Sequence, residues 1–207
     1  MAIAVFAVGI PATITASYDL GFYSRVDPTG GPARQQSEDK LADLEQETLR
    51  TAAEERDLAF ALLSHGDDPE LADSEKTRVV ARAVRGFHEY LARVPGDGQA
   101  WTGLASAQVR LGDLARGASA LRMSILTAPW SDSLVQWRCG LAIDLFRALN
   151  AEDRELVKGQ FRVAAQRSVS SLVRTVTGRN GTRLARIFLA SSPDELIKFE
   201  VELAKQH

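Results

Sequence analysis

Apolar side chains recur at intervals of three and four residues from Leu41 almost to the C-terminus, and no stretch alternates convincingly at period two. This spacing places the apolar residues on one face of each of several successive α-helices. Glycine and proline residues interrupt the pattern and separate the helices at Gly66, Pro69, Pro95, Gly112, Pro129 and Gly178. The pattern therefore predicts an all-α fold.

Local signals predict where several helices begin and end. The first helix is expected to cover about 25 residues and to include positions 41–62. Ser74 is the predicted cap of the second helix, and positions 134–149 define the fifth. Asn150 is expected to cap the sixth helix, while Ser192, followed by proline and two acidic residues, begins the last.

The composition excludes several classes of protein. The chain has 207 residues, of which 45% are hydrophobic and 25% are charged, so it is neither disordered nor a polytopic membrane protein. Its single cysteine, Cys139, excludes an internal disulfide framework. Because 25 basic residues nearly balance 27 acidic ones, we expect no dedicated nucleic-acid binding.

The charges are strongly segregated along the chain. Positions 38–76 hold thirteen acidic and four basic residues, whereas positions 156–193 hold seven basic residues and no acidic one. One interpretation is that these segments are solvated helix faces or partly neutralise each other across the fold. The other is that the arginine-rich segment faces an anionic lipid surface, protein or polymer. The candidate residues for that basic surface are Arg174, Arg179, Arg183 and Arg186.

The N-terminal segment, residues 2–23, is apolar apart from a few polar residues and carries a single charge, Asp19. At about 1.5 Å per residue it is long enough to cross a hydrocarbon core, which predicts a transmembrane anchor. A cleaved signal peptide with a small residue such as Ala16 at the cleavage site is an alternative. A buried or partner-binding soluble segment is a third, since no basic residue precedes the apolar run.

Two prolines and two glycines between Asp27 and Ala33 predict a flexible connection after the anchor. The chain is thus divided into a membrane or signal segment at 1–23, a linker at 24–36 and a helical domain at 37–207. We expect the anchor to lie in the inner membrane with the helical domain in the periplasm. The alternative is a protein secreted to the periplasm after signal cleavage.

Residues 98–131 have the spacing of a known helical repeat. An aromatic residue and a leucine open the first helix, and a Leu-Gly-Asp turn at 111–113 joins it to the second helix, which ends at a proline. In order along the chain, the matching positions are Trp101, Leu104, Ala105, Gly112, Gly117, Leu121 and Pro129. This stretch resembles the tetratricopeptide repeat (TPR) family. Gln108 stands where the family often has an aromatic residue, and Ser124 stands where it usually has alanine.

A step of 34 residues toward the N-terminus places Gly117 on Ala83 and Pro129 on Pro95, so the second predicted helix matches the closing half of a preceding unit. A forward step places Leu104 on Arg138, which does not suit a buried position. We therefore predict one clear repeat between two diverged helical hairpins, over positions 41–167. The resemblance implies an α-solenoid; a plain helical bundle is the alternative.

In the TPR family the first helix of each pair lines a concave wall that binds peptides. The resemblance implies that Gln99, Thr102, Ser106 and Arg110 face inward here, with Arg138 extending the row. The two arginines would then hold a carboxylate or an acidic peptide. The alternative is that all five are ordinary surface residues.

Catalysis has little support in the sequence. His65, His88 and His207 are far apart and do not stand at metal-ligand spacing with Cys139, so we expect no metal and no cofactor. Cys139 lies on an apolar helix and is interpreted as a small core residue. The turn at 178–181 is interpreted as a helix end and not as a phosphate-binding loop.

These observations favour a non-catalytic, membrane-anchored, TPR-like scaffold or assembly factor of a bacterial envelope complex, whose partner is another protein or peptide. One alternative is a structural subunit of a membrane complex, in which the N-terminal segment packs against other membrane helices. Another is an accessory protein for envelope polysaccharide synthesis or export that uses the arginine-rich segment. The resemblance to the TPR family implies that Trp101 packs between helices.

Overall fold

The computed structural model describes residues 51–205 of the chain. Within that range it contains eight α-helices and no β-strand, which confirms the all-α class. The predicted segments 1–23 and 24–36, together with His207, lie outside the described residues. The helices are α1 Ala52–His65, α2 Asp73–Arg93, α3 Gly98–Arg110, α4 Leu114–Thr127, α5 Asp132–Asp144, α6 Ala151–Thr177, α7 Thr182–Leu189 and α8 Pro193–Ala204.

The first six helices pack in sequential pairs. α1 makes its most extensive contacts with α2, α3 with α4, and α5 with α6. The opening helices α1, α3 and α5 also contact one another in chain order, while α7 and α8 pack on α6. In the part of the chain described here, no helix has an apolar run long enough to span a membrane.

Capping groups explain why two of the helices start where they do. The Thr51 hydroxyl accepts a hydrogen bond from the Glu54 N–H, and the Glu54 carboxylate accepts one from the Thr51 N–H. Asn150 and Asp153 form the same reciprocal pair at the start of α6. The Asn150 prediction is thus confirmed. Positions 41–50 of the predicted first helix lie outside the described residues. The prediction that one helix continues through Thr51 is wrong, because Thr51 has extended backbone angles and caps a helix that begins at Ala52.

The last helix begins after Ser192 with Pro193 in its first turn, as predicted, although the Ser192 side chain makes no cap hydrogen bond. Two other predicted boundaries need correction. α2 begins at Asp73, so Ser74 lies inside the helix and is not its cap. α5 ends at Asp144, although Leu145 and Leu149 are buried. The turn after α5 continues the apolar spacing of the helix, and spacing alone therefore gave no sign of the helix end.

Helix α6 is interrupted at Ser168, whose backbone is extended (φ −160°, ψ 93°). The Ser168 hydroxyl accepts a hydrogen bond from the Ser171 N–H at 3.3 Å, which is the geometry of an N-cap for the second half of the helix. The Ser168 carbonyl accepts from Gln136 of α5 at 3.4 Å. The interruption falls directly after Arg167, where the predicted hairpins end.

An aromatic pair packs between the first three helices. The rings of Phe60 and Phe87 meet edge to face with centroids 4.9 Å apart. Both rings lie against Gly103 of α3, where a β-carbon would come within 2.5 Å of Phe87. Trp101 is only half-buried, and its indole N–H donates to the Pro95 carbonyl at 2.8 Å. Trp101 therefore packs against the core as a partly buried residue and also contacts the loop between α2 and α3, and it is not fully enclosed between helices as the repeat implied.

Asp97 joins the first three helices at the start of α3. Its carboxylate accepts from the N–H groups of Gln99 and Ala100 as the N-cap of α3, and from the Tyr90 hydroxyl of α2 at 2.8 Å. Arg56 of α1 lies 3.7 Å from the same carboxylate. Burial, followed by the Asp97 hydrogen bond and charge, raises the pKa of Tyr90 to about 12.

This pKa shift predicts a loss of stability at alkaline pH. The folded state holds the Tyr90 proton more tightly than the unfolded state. The contribution of Tyr90 to the free energy of unfolding is therefore fully present below pH 10 and is lost as the pH rises toward 12. For this one group the free energy of unfolding should fall by at most about 1.4 kcal/mol per pH unit. Urea unfolding of the wild type and of Tyr90→Phe across this interval measures the effect. Equal pH slopes for the two proteins would contradict the prediction.

Candidate partner-binding surfaces

The residues predicted to line a concave wall do not form an open surface. Thr102 is completely buried and Ser106 is 8% exposed. They belong to a continuous buried stretch of α3, from Thr102 to Gln108, which is covered on all sides. The prediction that Thr102 and Ser106 face a partner is wrong, because these short side chains are enclosed by the packing around α3.

Arg138 is also buried, with 1% of its surface exposed, and it donates hydrogen bonds to groups at the end of α4. Its Nη2 bonds the Ser124 carbonyl at 2.6 Å, its Nη1 bonds the Ala128 carbonyl at 2.8 Å, and its Nε bonds the Ser124 hydroxyl at 2.9 Å. Nη1 also bonds the Gln160 side-chain oxygen at 3.2 Å. The predictions that Arg138 does not suit a buried position and binds a partner are both wrong.

The hydrogen bonds of Arg138 continue into α3 and α6. The Ser124 hydroxyl lies 2.7 Å from the Gly98 carbonyl and 2.6 Å from the Thr102 hydroxyl. The Gln160 amide nitrogen donates to the Pro129 carbonyl at 3.1 Å. We call this set the Arg138 network; its members are Gly98, Thr102, Ser124, Ala128, Pro129, Arg138 and Gln160. It connects four helices through buried polar groups.

The positive charge of Arg138 has no carboxylate partner among the described residues. Burial lowers the pKa of Arg138 to about 10, so the guanidinium stays protonated at neutral pH. The carbonyl groups at the C-terminus of α4 carry the partial negative charge of the helix dipole. Those carbonyls and the Gln160 oxygen therefore take the place of a counterion.

Arg110, the next predicted partner-binding residue, lies at the C-terminus of α3. Its guanidinium donates to the Leu63 carbonyl and lies 2.7 Å from the Asp67 carboxylate. Burial lowers the pKa of Arg110 and raises that of Asp67, and the attraction between the two partly offsets both shifts. Arg110 thus joins α3 to the loop after α1. Gln99, at the other end of α3, is half-buried.

Two of the four arginines predicted to form a basic surface are paired with carboxylates. Arg186 makes a two-pronged ion pair with Glu200, at 2.6 and 2.9 Å, and Arg179 lies 3.4 Å from Asp144. The hydrogen bonds from Arg186 lower the pKa of Glu200. Arg174 donates to a serine hydroxyl, and Arg183 is exposed with no described ion-pair partner. The positive charge available to an anionic partner is correspondingly reduced.

The two oppositely charged segments do not neutralise each other among residues 51–205. The arginine-rich segment pairs with α5 and α8, as in the 3.2 Å contact between Arg167 and Asp132. The acidic segment pairs with α2 and α3, as in the contact between Glu55 and Arg93. The ion pairs made by the described part of each segment are therefore with helices close to it along the chain.

The histidines and the cysteine considered as metal ligands lie on different helices in the described part of the chain. No group of three or more metal-ligating side chains comes together within residues 51–205. His65 is the last residue of α1 and His88 is exposed on α2. Cys139 is fully buried, and burial raises the pKa of its thiol, which keeps it in the unreactive protonated form. The prediction that Cys139 is a core residue is confirmed.

A groove of about 190 Å³ lies between the end of α4 and the first half of α6. We call it the α4–α6 groove. Its rim includes Trp130, which is 75% exposed, and Gly159 lies on its α6 side. The lining residues are Ile125, Pro129, Trp130, Glu155, Leu156, Gly159, Gln160, Arg162 and Val163.

A second apolar surface lies on the outer side of α8. Ile197 and Val201, one helical turn apart, are 62% and 56% exposed. Phe199 and Leu203 of the same helix are buried against the rest of the fold. We call Ile197 and Val201 the α8 stripe. A helix that is apolar on both sides is normally covered on both sides, which makes this stripe a candidate contact surface.

Comparisons with family models, with curated proteins and with solved structures find no match to this chain.

Several residues important to these sites were not identified from the sequence. Gln160 and Ser124 were not recognised as acceptors for Arg138. The sequence did contain one signal for this contact. Arg138 stands at a repeat position that normally holds leucine, and Ser124 stands at a position that normally holds alanine. Trp130 and the α8 stripe were missed because helical periodicity does not reveal whether an apolar residue finds a neighbour.

We expect Arg138→Met to lower the free energy of unfolding by about 3 kcal/mol, because it leaves several buried oxygens without donors. Urea unfolding measures the change. The matched control is Arg183→Met, an exposed arginine, for which we expect a change below about 0.5 kcal/mol. Equal effects of the two substitutions would show that the Arg138 network contributes nothing to stability.

Proposed function

We propose that this chain is a non-catalytic helical scaffold that is held at a membrane by residues 1–23 and binds another protein. The observation that carries this proposal is the α8 stripe. Two large aliphatic side chains stay exposed to water on a helix whose opposite side is already packed. Covering them with the apolar side chains of another protein would remove this surface from water.

The packing order supports a TPR-like solenoid as the architecture of the scaffold. Three consecutive helix pairs contact one another through their opening helices, as stacked repeats do. The turn of the central pair contains Gly112, whose φ of +76° suits glycine. With α3 buried, however, we place the partner on the outer surface of α8 and not on a concave wall.

The α8 stripe gives the first test. A photoreactive amino acid at position 197 or 201 of the full chain, expressed in its native cells, should give the same covalent product with one other protein. The matched control is position 205, which is exposed just after α8. The absence of a cross-linked product at positions 197 and 201 would contradict a partner at the stripe. The same product at position 205 would also contradict it.

Substitution separates binding from folding at this surface. Ile197→Ser combined with Val201→Ser should abolish the product formed from a photoreactive group at position 198. It should also change the free energy of unfolding by less than about 1 kcal/mol, because both side chains are largely exposed. A large loss of stability would mean that the stripe serves the fold instead.

The membrane attachment is tested separately. We expect the full chain to remain in the membrane fraction after carbonate extraction, with the mass of the complete sequence. A periplasmic protein that lacks the N-terminal segment would favour signal cleavage. A full-mass protein in the soluble fraction would contradict both an anchor and a signal peptide.

A further inference from the structure

We infer that the α4–α6 groove binds a second copy of this chain, with helix α6 of each copy crossing the other in opposite directions near Gly159. The inference goes beyond the proposed function and does not depend on it, because the α8 stripe lies on a different helix. Three features of the groove lead to it: the glycine on the α6 side, the charges on either side of that glycine, and the exposed tryptophan at the rim.

Gly159 lies inside α6, where glycine costs about 1 kcal/mol relative to alanine. Gly103 and Gly117, in α3 and α4, leave room for neighbouring side chains of the same molecule. Among residues 51–205, a β-carbon at Gly159 would meet no atom within 4 Å. The packing of this part of the chain therefore does not explain the glycine. A glycine in a helix that lines an open groove allows another helix to approach closely.

The side chains around Gly159 are arranged so that they complement their own copy. Glu155 and Leu156 lie one turn before it, and Arg162 and Val163 lie one turn after it. A two-fold axis near Gly159 would place the first pair of one copy against the second pair of the other. Leu156 of each copy then contacts Val163 of the other copy. The dimer also contains two contacts between Glu155 of one copy and Arg162 of the other.

These two charges are available for such a contact. Arg162 is exposed and makes no ion pair within 4 Å among the described residues. Its charge acts on Glu195 of α8, whose pKa is lowered first by a hydrogen bond from Gln166 and to a smaller extent by Arg162. Glu155 is paired with Lys158, three residues away on the same helix, and its side chain is 70% exposed. Exposed pairs of this kind contribute little to stability, so Glu155 can exchange partners at little cost.

Trp130 provides the apolar area. Its side chain is 75% exposed beside the groove, and tryptophan is among the residues that contribute most to protein interfaces. In the two-fold arrangement each Trp130 is covered by α6 of the partner. The same groove and the same tryptophan then serve both copies, as a closed dimer requires.

A charge exchange tests the identity of the partner. The full chain is purified in detergent, and the mass of the protein component is measured by light scattering over a range of concentrations. Glu155→Arg alone and Arg162→Glu alone should each raise the dissociation constant of the dimer by about tenfold or more, because like charges then face each other. The double variant restores two opposite-charge contacts and should return the constant to within about threefold of the wild type.

A cysteine placed on the axis tests the geometry. Gly159→Cys should form a disulfide between copies under mild oxidation, since residues on a two-fold axis approach each other closely. Ser170→Cys, exposed on the second half of α6, is the control and should not form one. Cys139 is buried and should not react. Circular dichroism of each variant shows whether it is folded.

Three results would overturn the inference: a wild-type chain that stays monomeric, a double variant that dimerises as weakly as the single variants, or cross-linking that is equal at positions 159 and 170. If the chain is monomeric but still forms the photo-crosslinked product at position 197 or 201, only the inferred dimer is wrong. If the chain is dimeric but does not form that product, only the proposed partner surface on α8 is wrong.

Discussion

The burial of Arg138 is the constraint on which the packing of the central helices depends. A guanidinium without a carboxylate partner is stable in the interior only if several acceptors are held around it. Here the acceptors come from the end of α4 and from Gln160 of α6, and Ser124 connects them to the start of α3. A shift of any of these helices would leave charged or polar groups without partners, and the network therefore fixes how the second hairpin sits on the third.

The same packing determines which side chains stay exposed. The close contacts around α3, with Gly103 against two phenylalanine rings, leave this helix no open face between Thr102 and Gln108. The large apolar residues that remain exposed lie on other parts of the fold: Leu126 on α4, Trp130 beside the α4–α6 groove, Ile187 on α7, and Ile197 and Val201 on α8. The ion pairs of Arg179 and Arg186 reduce the positive charge that an anionic polymer would meet.

The helix boundaries show which kinds of signal were reliable. The start of α6 at Asn150, the turn at Gly112 and the end of α6 before Gly178 were predicted correctly, because caps and glycine turns act within a few residues. The end of α5 was missed because Leu145 and Leu149 are buried by other helices although they lie beyond it. Apolar spacing reports burial, and it indicates a helix only where burial and helix coincide.

The sequence by itself determined the all-α class and most of the helices, since both depend on periodicity and on interactions between residues close along the chain. Only the tertiary structure decided the environment of each polar residue. The sequence predicted an exposed Arg138 because the acceptors Ser124 and Gln160 are fourteen and twenty-two residues away along the chain. They come within hydrogen-bond distance only after the helices pack. The exposure of Trp130 and Ile197 was settled in the same way, by which neighbours the fold supplies.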